Sequence, residues 1–175
     1  MGKGILICGL NGCGKSTLGK ALGERLGYTW IDIEDCYFPK EDPAYLYAAP
    51  RTKEEAVEIL REKIRRSRRF VLSAVKGDFG EDIESSYMGV ALLQAGQEVR
   101  MRRVRERSYE KFGERMLPGG DLYKKEEGFF ARVAQRSEED IAGWVSGLSV
   151  PVLVLDGERP ISEHLERIST FLHLK

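Results

Sequence analysis

Compact runs of Ile, Val and Leu alternate along the chain with stretches where apolar residues return every three or four positions. The runs Gly4 to Cys8, Tyr28 to Ile33, Phe70 to Val75, Val90 to Leu93 and Val150 to Leu155 lack strict two-residue alternation. That pattern predicts strands covered on both faces. Leu18, Ala21, Leu22 and Leu26 predict a helix that Gly27 stops. Ala56, Ile59, Leu60 and Ile64 predict another, entered through Thr52 with Glu55 three residues later, a capping-box pattern. Phe130, Val133, Ile141, Trp144, Val145 and Leu148 predict one long helix, and Ile161, Leu165, Ile168 and Leu172 the last. Strands alternating with helices predict an α/β fold with a parallel sheet, within a single domain over residues 1–175. Residues 108–128 are the least patterned and contain Pro118-Gly119-Gly120, which predicts a mobile loop.

Composition narrows the class without naming an activity. Apolar residues make up 42% and charged residues 32%, so the chain is globular in composition rather than disordered. The 28 Lys and Arg balance 28 Asp and Glu, which argues against a bulk nucleic-acid or acidic-membrane partner but leaves local patches open. Cys8, Cys13 and Cys36 show no metal-ligand spacing and predict reduced thiols. The opening residues lack the apolar length of a signal peptide, and no stretch suits a membrane span. A soluble, cytoplasmic protein is expected.

Gly9-Leu10-Asn11-Gly12-Cys13-Gly14-Lys15-Ser16 fits G-x-x-x-x-G-K-[ST] at every fixed position, after a predicted strand and before a predicted helix. In that context the glycines let the backbone curl, so that its N–H groups point at a polyphosphate beside the positive end of the helix. Gly9, Asn11, Gly12, Cys13, Gly14, Lys15, Ser16 and Thr17 are therefore the candidate phosphate-binding residues. Lys15 reaches the β- and γ-phosphates, and Ser16 offers a hydroxyl to Mg²⁺. Asn11 is the sole asparagine in the chain. A guanine-reading N-K-x-D motif is thus absent, and ATP is the expected nucleotide.

With this loop, the segments Val90 to Ala95 and Arg103 to Arg107, and the ending Val152 to Gly157 followed by Pro160-Ile161, the chain resembles the small P-loop kinases. That group includes shikimate, gluconate and nucleoside monophosphate kinases. The resemblance implies a three-layer P-loop NTPase fold: a five-stranded parallel sheet in order 2-3-1-4-5, helices on both faces, and a lid segment. It also implies transfer of the γ-phosphoryl group of MgATP to a small-molecule acceptor, either a hydroxyl metabolite or a nucleoside monophosphate. Residues 36–69 then form the acceptor-binding segment and 108–128 the lid.

Further candidates follow from the same alignment of motifs. Asp32, Glu34 and Asp35 place three carboxylates at a strand's C-terminal end, the edge where α/β sheets bind ligands. The resemblance implies that Asp32 orients a Mg²⁺-bound water or serves as base, while Glu34 or Asp35 holds the acceptor. Arg51 stands just before a predicted helix, in a segment resembling F-R-x-x-E with Pro50 in place of the aromatic residue. Lys76 and Asp78 follow the third strand, where a glycine triplet of shikimate kinases is missing. Asp78 is a second candidate Mg²⁺-ordering carboxylate. Tyr37, Phe38, Tyr45 and Tyr47 either wall an acceptor pocket or pack in the core. Arg100, Arg103 and Arg107 share one helical stripe, with Arg102 and Arg105 off it. The resemblance maps Arg103 to the adenine and Arg107 to the phosphates, while Arg115, Arg132 and Arg136 are further candidates for phosphate contact. Two other readings stay open: a nucleotide-binding regulatory module with slow ATPase activity, and a nucleic-acid-binding P-loop protein.

Overall fold

The computed structural model describes residues 2–174. Its centre is a five-stranded, all-parallel sheet in the order β2-β3-β1-β4-β5, formed by Thr29–Asp32, Arg69–Ser73, Lys3–Cys8, Tyr87–Gln94 and Val152–Asp156. The order is the expected one. β1 is central, so the loop that follows it opens at the middle of the sheet's C-terminal edge, between strands that lead to opposite flanks.

Alternation along β1 divides the interior. Leu6 and Cys8 face a cluster with Leu60, Ile64, Ile141 and Val145, from α3 (Lys53–Arg66) and α7 (Glu139–Ser146). Ile5 and Ile7 face the opposite cluster with Leu18, Leu22 and Ile168, from α1 (Lys15–Leu26) and α8 (Ile161–Phe171). Burial on both faces explains the unbroken apolar runs in the sequence.

The predicted helix signals act as read. Gly27 ends α1 in the left-handed region at φ 65°, donating back to Glu24 and Gly23 carbonyls. Thr52 and Glu55 close a reciprocal capping box at the start of α3, a device that contributes about 1 kcal/mol. One side of α1 lies against the sheet because Gly19 has no side chain. A Cβ there would meet the Ser73 Oγ at 2.2 Å and the Trp30 ring nitrogen at 2.8 Å. Trp30 donates to Ser73 Oγ, which donates in turn to the Lys15 carbonyl at 3.1 Å. The first turn of α1 is thereby fixed to β2 and β3.

Three expectations need correction. The second strand stops at Asp32, and Ile33–Tyr37 form a short helix, α2, because the Asp32 carboxylate caps it. The expected loop over residues 108–128 is mostly helical. α5 runs over Gln97–Phe112, a 3₁₀ turn over Gly113–Met116, and α6 over Tyr123–Ala134, which leaves Pro118-Gly119-Gly120 as the turn between them. The predicted long helix after Phe130 is two, since α6 ends at Ala134 before α7 begins at Glu139. A four-residue helix, α4 (Glu81–Glu84), completes the fold.

The segment from α5 to α6 has its own small core. Val104, Phe112, Met116, Leu122, Phe130 and Val133 are buried together, with Tyr45 and Tyr47 from the segment after α2 packed onto them. Arg105 reinforces it, bonding Glu127 at 2.7 Å and lying 4.3 Å over the Phe130 ring.

Candidate active site

Gly9, Gly12 and Gly14 all adopt positive φ, and Gly14 is the N-cap of α1. Gly9 and Gly12 are both closely packed by backbone: a Cβ would lie 2.2 Å from the Leu93 carbonyl oxygen at Gly9 and 2.3 Å from the Arg100 carbonyl oxygen at Gly12. The loop is clasped from outside by the arginine stripe. Arg103 donates to the Gly12 and Gly157 carbonyls at 3.3 and 3.0 Å, and the buried Arg100 donates to the Ala95 carbonyl at 3.1 Å. Arg136 donates to the Asn11 side chain at 2.5 Å. Cys13, buried below the loop, packs close to Gly9 and Gly157. The N–H groups of the first turn of α1, Lys15 to Thr17, have no helical acceptor, so they remain for an anion.

Lys15 folds back over the loop, its Nζ 3.0 Å from the Leu10 carbonyl. Burial pulls its ammonium below the ordinary lysine value, opposed by Cys13 and Asp32 and reinforced by Arg107. Ser16 donates its hydroxyl to Asp32 Oδ2 at 2.6 Å, while Asp32 Oδ1 accepts from the Glu34 backbone N–H at 3.0 Å. The cap of α2 thus aims the carboxylate at the loop. A hydroxyl and a carboxylate are oxygen donors only, which suits Mg²⁺ and not a soft metal. No group of three His, Cys, Asp or Glu side chains able to hold a metal occurs among the described residues.

Two residues beyond Asp32, Glu34 accepts from the Tyr47 hydroxyl at 3.0 Å and lies 3.6 Å from Lys40 and 3.9 Å from Lys111. Lys111 also donates to the Tyr47 hydroxyl and lies 4.9 Å above its ring. Burial, with Glu34, pushes the Tyr47 phenol up, so it stays a donor. Sequence reasoning missed Lys111. The signal that could have found it is its place four residues beyond Arg107, on the same helical stripe.

The other candidates are distributed differently. Asp35 points outward to Lys40 at 2.5 Å. Arg51 spends one guanidinium nitrogen on the Cys36 carbonyl at 3.0 Å. Asp78 is held by Lys76 at 3.0 Å, and no hydrogen bond joins it to Ser16 or Asp32. Arg115 forms a two-bond pair with Asp121 and reaches the Ala44 carbonyl, so it ties the turn after α5 to the segment after α2. The cluster of Phe38, Tyr45, Tyr47 and Phe112 makes the same tie with aromatic contacts. Arg107 has no carboxylate within ion-pair distance among the described residues. A cavity of about 630 Å³ opens beside the loop, lined among others by Leu10, Gln94, Arg136 and Glu138. It excludes Lys15, Ser16 and Asp32, so it flanks the phosphate loop without containing these candidate residues.

A central-strand phosphate loop, an Asp-paired serine and an arginine-bearing helix, α5, on a 2-3-1-4-5 sheet define the small P-loop kinase fold. The chain belongs to the AAA domain family, which matches residues 5–140. It is 28% identical over 180 residues, 98% of both chains, to an uncharacterized protein, YqaC, from Bacillus subtilis strain 168. Solved structures show the same fold. A gluconokinase from Sinorhizobium meliloti 1021 matches with a TM-score of 0.60 at 16% identity, covering 98% of this chain and 91% of that one. A shikimate kinase from Bacteroides thetaiotaomicron matches at 0.60 and 17%, covering 98% and 99%. A sugar kinase from a Janibacter species matches at 0.55 and 18%, covering 99% and 96%. No helix among the described residues is long and apolar enough to cross a membrane.

Proposed function

We propose that the protein transfers the γ-phosphoryl group of ATP to a hydroxyl of a small molecule. One observation carries this reading. Lys15 and the Ser16–Asp32 pair gather where β2 meets α2, and two residues on, Glu34 joins a second cluster with Tyr47 and Lys111, with the carboxylate-free Arg107 close enough for its charge to be felt in both. Slow hydrolysis needs only the first group, and the second supplies a place for an acceptor.

In this reading the loop N–H groups and Lys15 cradle the β- and γ-phosphates. Arg107 takes up charge that spreads over the transferring oxygens. Ser16 and Asp32 would hold Mg²⁺, which when bound supplies charge neutralisation at the phosphates. Asp32, bonded to Ser16 and to the Glu34 N–H, is the base that accepts the proton of the attacking hydroxyl. Residues 36–69 hold the acceptor, and the lid, residues 108–128, excludes the water that would otherwise compete for the phosphoryl group.

The relatives of known structure are a gluconokinase, a sugar kinase and a shikimate kinase, which makes hydroxyl metabolites the first acceptors to try. ADP release from MgATP is measured alone and with D-gluconate, shikimate, glucitol, adenosine monophosphate and cytidine monophosphate. Acceleration of at least tenfold by one of the first three is expected. A flat response across the panel contradicts the proposal and favours a slow nucleotide-hydrolysing module.

A further inference from the structure

The stripe of arginines on α5 does not end where the phosphate chemistry ends. Arg103 fastens the helix to the Gly12 and Gly157 carbonyls. One turn on, Arg107 lies close enough to Lys15 and Lys111 for its charge to be felt by both. Another turn on, Lys111 reaches Tyr47 and Glu34. Each four-residue step advances about 6 Å along the axis. One rigid helical face therefore runs from the phosphate loop to the acceptor side, passing a charge at each step.

Lys111 is an unusual surface lysine. Its side chain is 30% exposed, and burial pulls its ammonium below the ordinary lysine value, with Glu34 opposing the effect and Arg107 and Lys40 adding to it. The Tyr47 ring beneath it packs in turn on Phe112, the residue after Lys111, so the contact forms only while α5 is docked on the segment after α2. Glu34 Oε1 accepts from the Tyr47 hydroxyl and pairs with two ammonium groups, Lys40 from the same segment as Tyr47 and Lys111 from α5. Only Lys111 comes from the lid.

We propose that Lys111 is a positioning residue that fixes the Glu34 carboxylate and the Tyr47 hydroxyl toward the acceptor when the lid helix docks, so that acceptor recognition depends on lid closure. The inference rests on the phosphotransferase reading above. It implies an acceptor that offers at least two hydroxyl groups, one to the transferred phosphoryl and one to Glu34.

The test uses the full chain, the same acceptor panel and three proteins: wild type, Lys111→Met and Lys111→Arg. With the acceptor that wild type phosphorylates, Lys111→Met is expected to raise the acceptor KM at least tenfold. The KM for ATP and the melting temperature should stay near wild type, and Lys111→Arg should recover most of the lost affinity. An unchanged acceptor KM in Lys111→Met overturns the role assigned to Lys111 and leaves the phosphotransferase reading standing. So does an equal rise in both KM values, which marks a merely structural residue. Wild type that binds MgATP but phosphorylates nothing in the panel overturns the phosphotransferase reading itself, and this inference with it.

Discussion

Lys15→Met is expected to lower the turnover of phosphoryl transfer by about 10³-fold, the scale seen when one preorganised donor to a developing charge is lost. The fold should not suffer. The Lys15 ammonium is held out of water at a cost, visible in the direction of its shift. Because the folded value lies below the unfolded one, the unfolded chain binds more protons between the two. Wild-type stability should therefore rise as pH climbs through that window, and Lys15→Met should lose this dependence. Urea denaturation across alkaline pH checks the slope. At neutral pH the variant should melt within about 2 °C of wild type or above it. Activity and stability are thus expected to separate, which sets a catalytic lysine apart from a structural one.

Gly12→Val should do the opposite and damage both. The position has φ 86°, in the left-handed region, and a Cβ would strike the Arg100 backbone: the oxygen at 2.3 Å and Cα at 2.8 Å. Neither obstacle is a flexible side-chain end that can swing away. Strain and overpacking together cost about 3 kcal/mol, a fall in melting temperature of roughly 6 to 12 °C for a chain of this size. Relief of the clash requires the loop to part from α5, which also removes the Arg103 contact to Gly12. Nucleotide affinity is therefore expected to drop along with stability, as calorimetric titration with ATP and thermal melting would show.

How much of this could be read from the sequence follows from how local each cause is. The phosphate loop was legible because eight consecutive residues set its backbone. The capping box at Thr52 and the stop at Gly27 were legible for the same reason. The two faces of the sheet appeared as unbroken apolar runs, but the strand order came from family resemblance and not from periodicity. Asp32 was singled out as a carboxylate at a strand end, whereas its second task, capping α2, was not seen. Residues 108–128 read as a loop because the core they share is sparse. Leu122, Phe130 and Val133 are scattered among charges, and the buried Glu126 reads as a surface residue until Tyr45, 81 positions earlier, is brought to it. Lys111 and Tyr47 are 64 positions apart, and Arg136 and Asn11 are 125. Contacts of that separation leave no local mark, so the Glu34–Tyr47–Lys111 cluster emerged only from the packing of α5 on the segment after α2.

The central claim is that the γ-phosphoryl group leaves ATP for an organic hydroxyl and not for water. Incubation of the protein with ATP labelled at the γ-phosphorus and the hydroxyl panel, followed by separation of products, tests it most directly. The account predicts label in a phosphate ester of one acceptor, with inorganic phosphate a minor product and the ester absent for Lys15→Met. Label recovered only as inorganic phosphate, at the same rate with and without every acceptor, would contradict it.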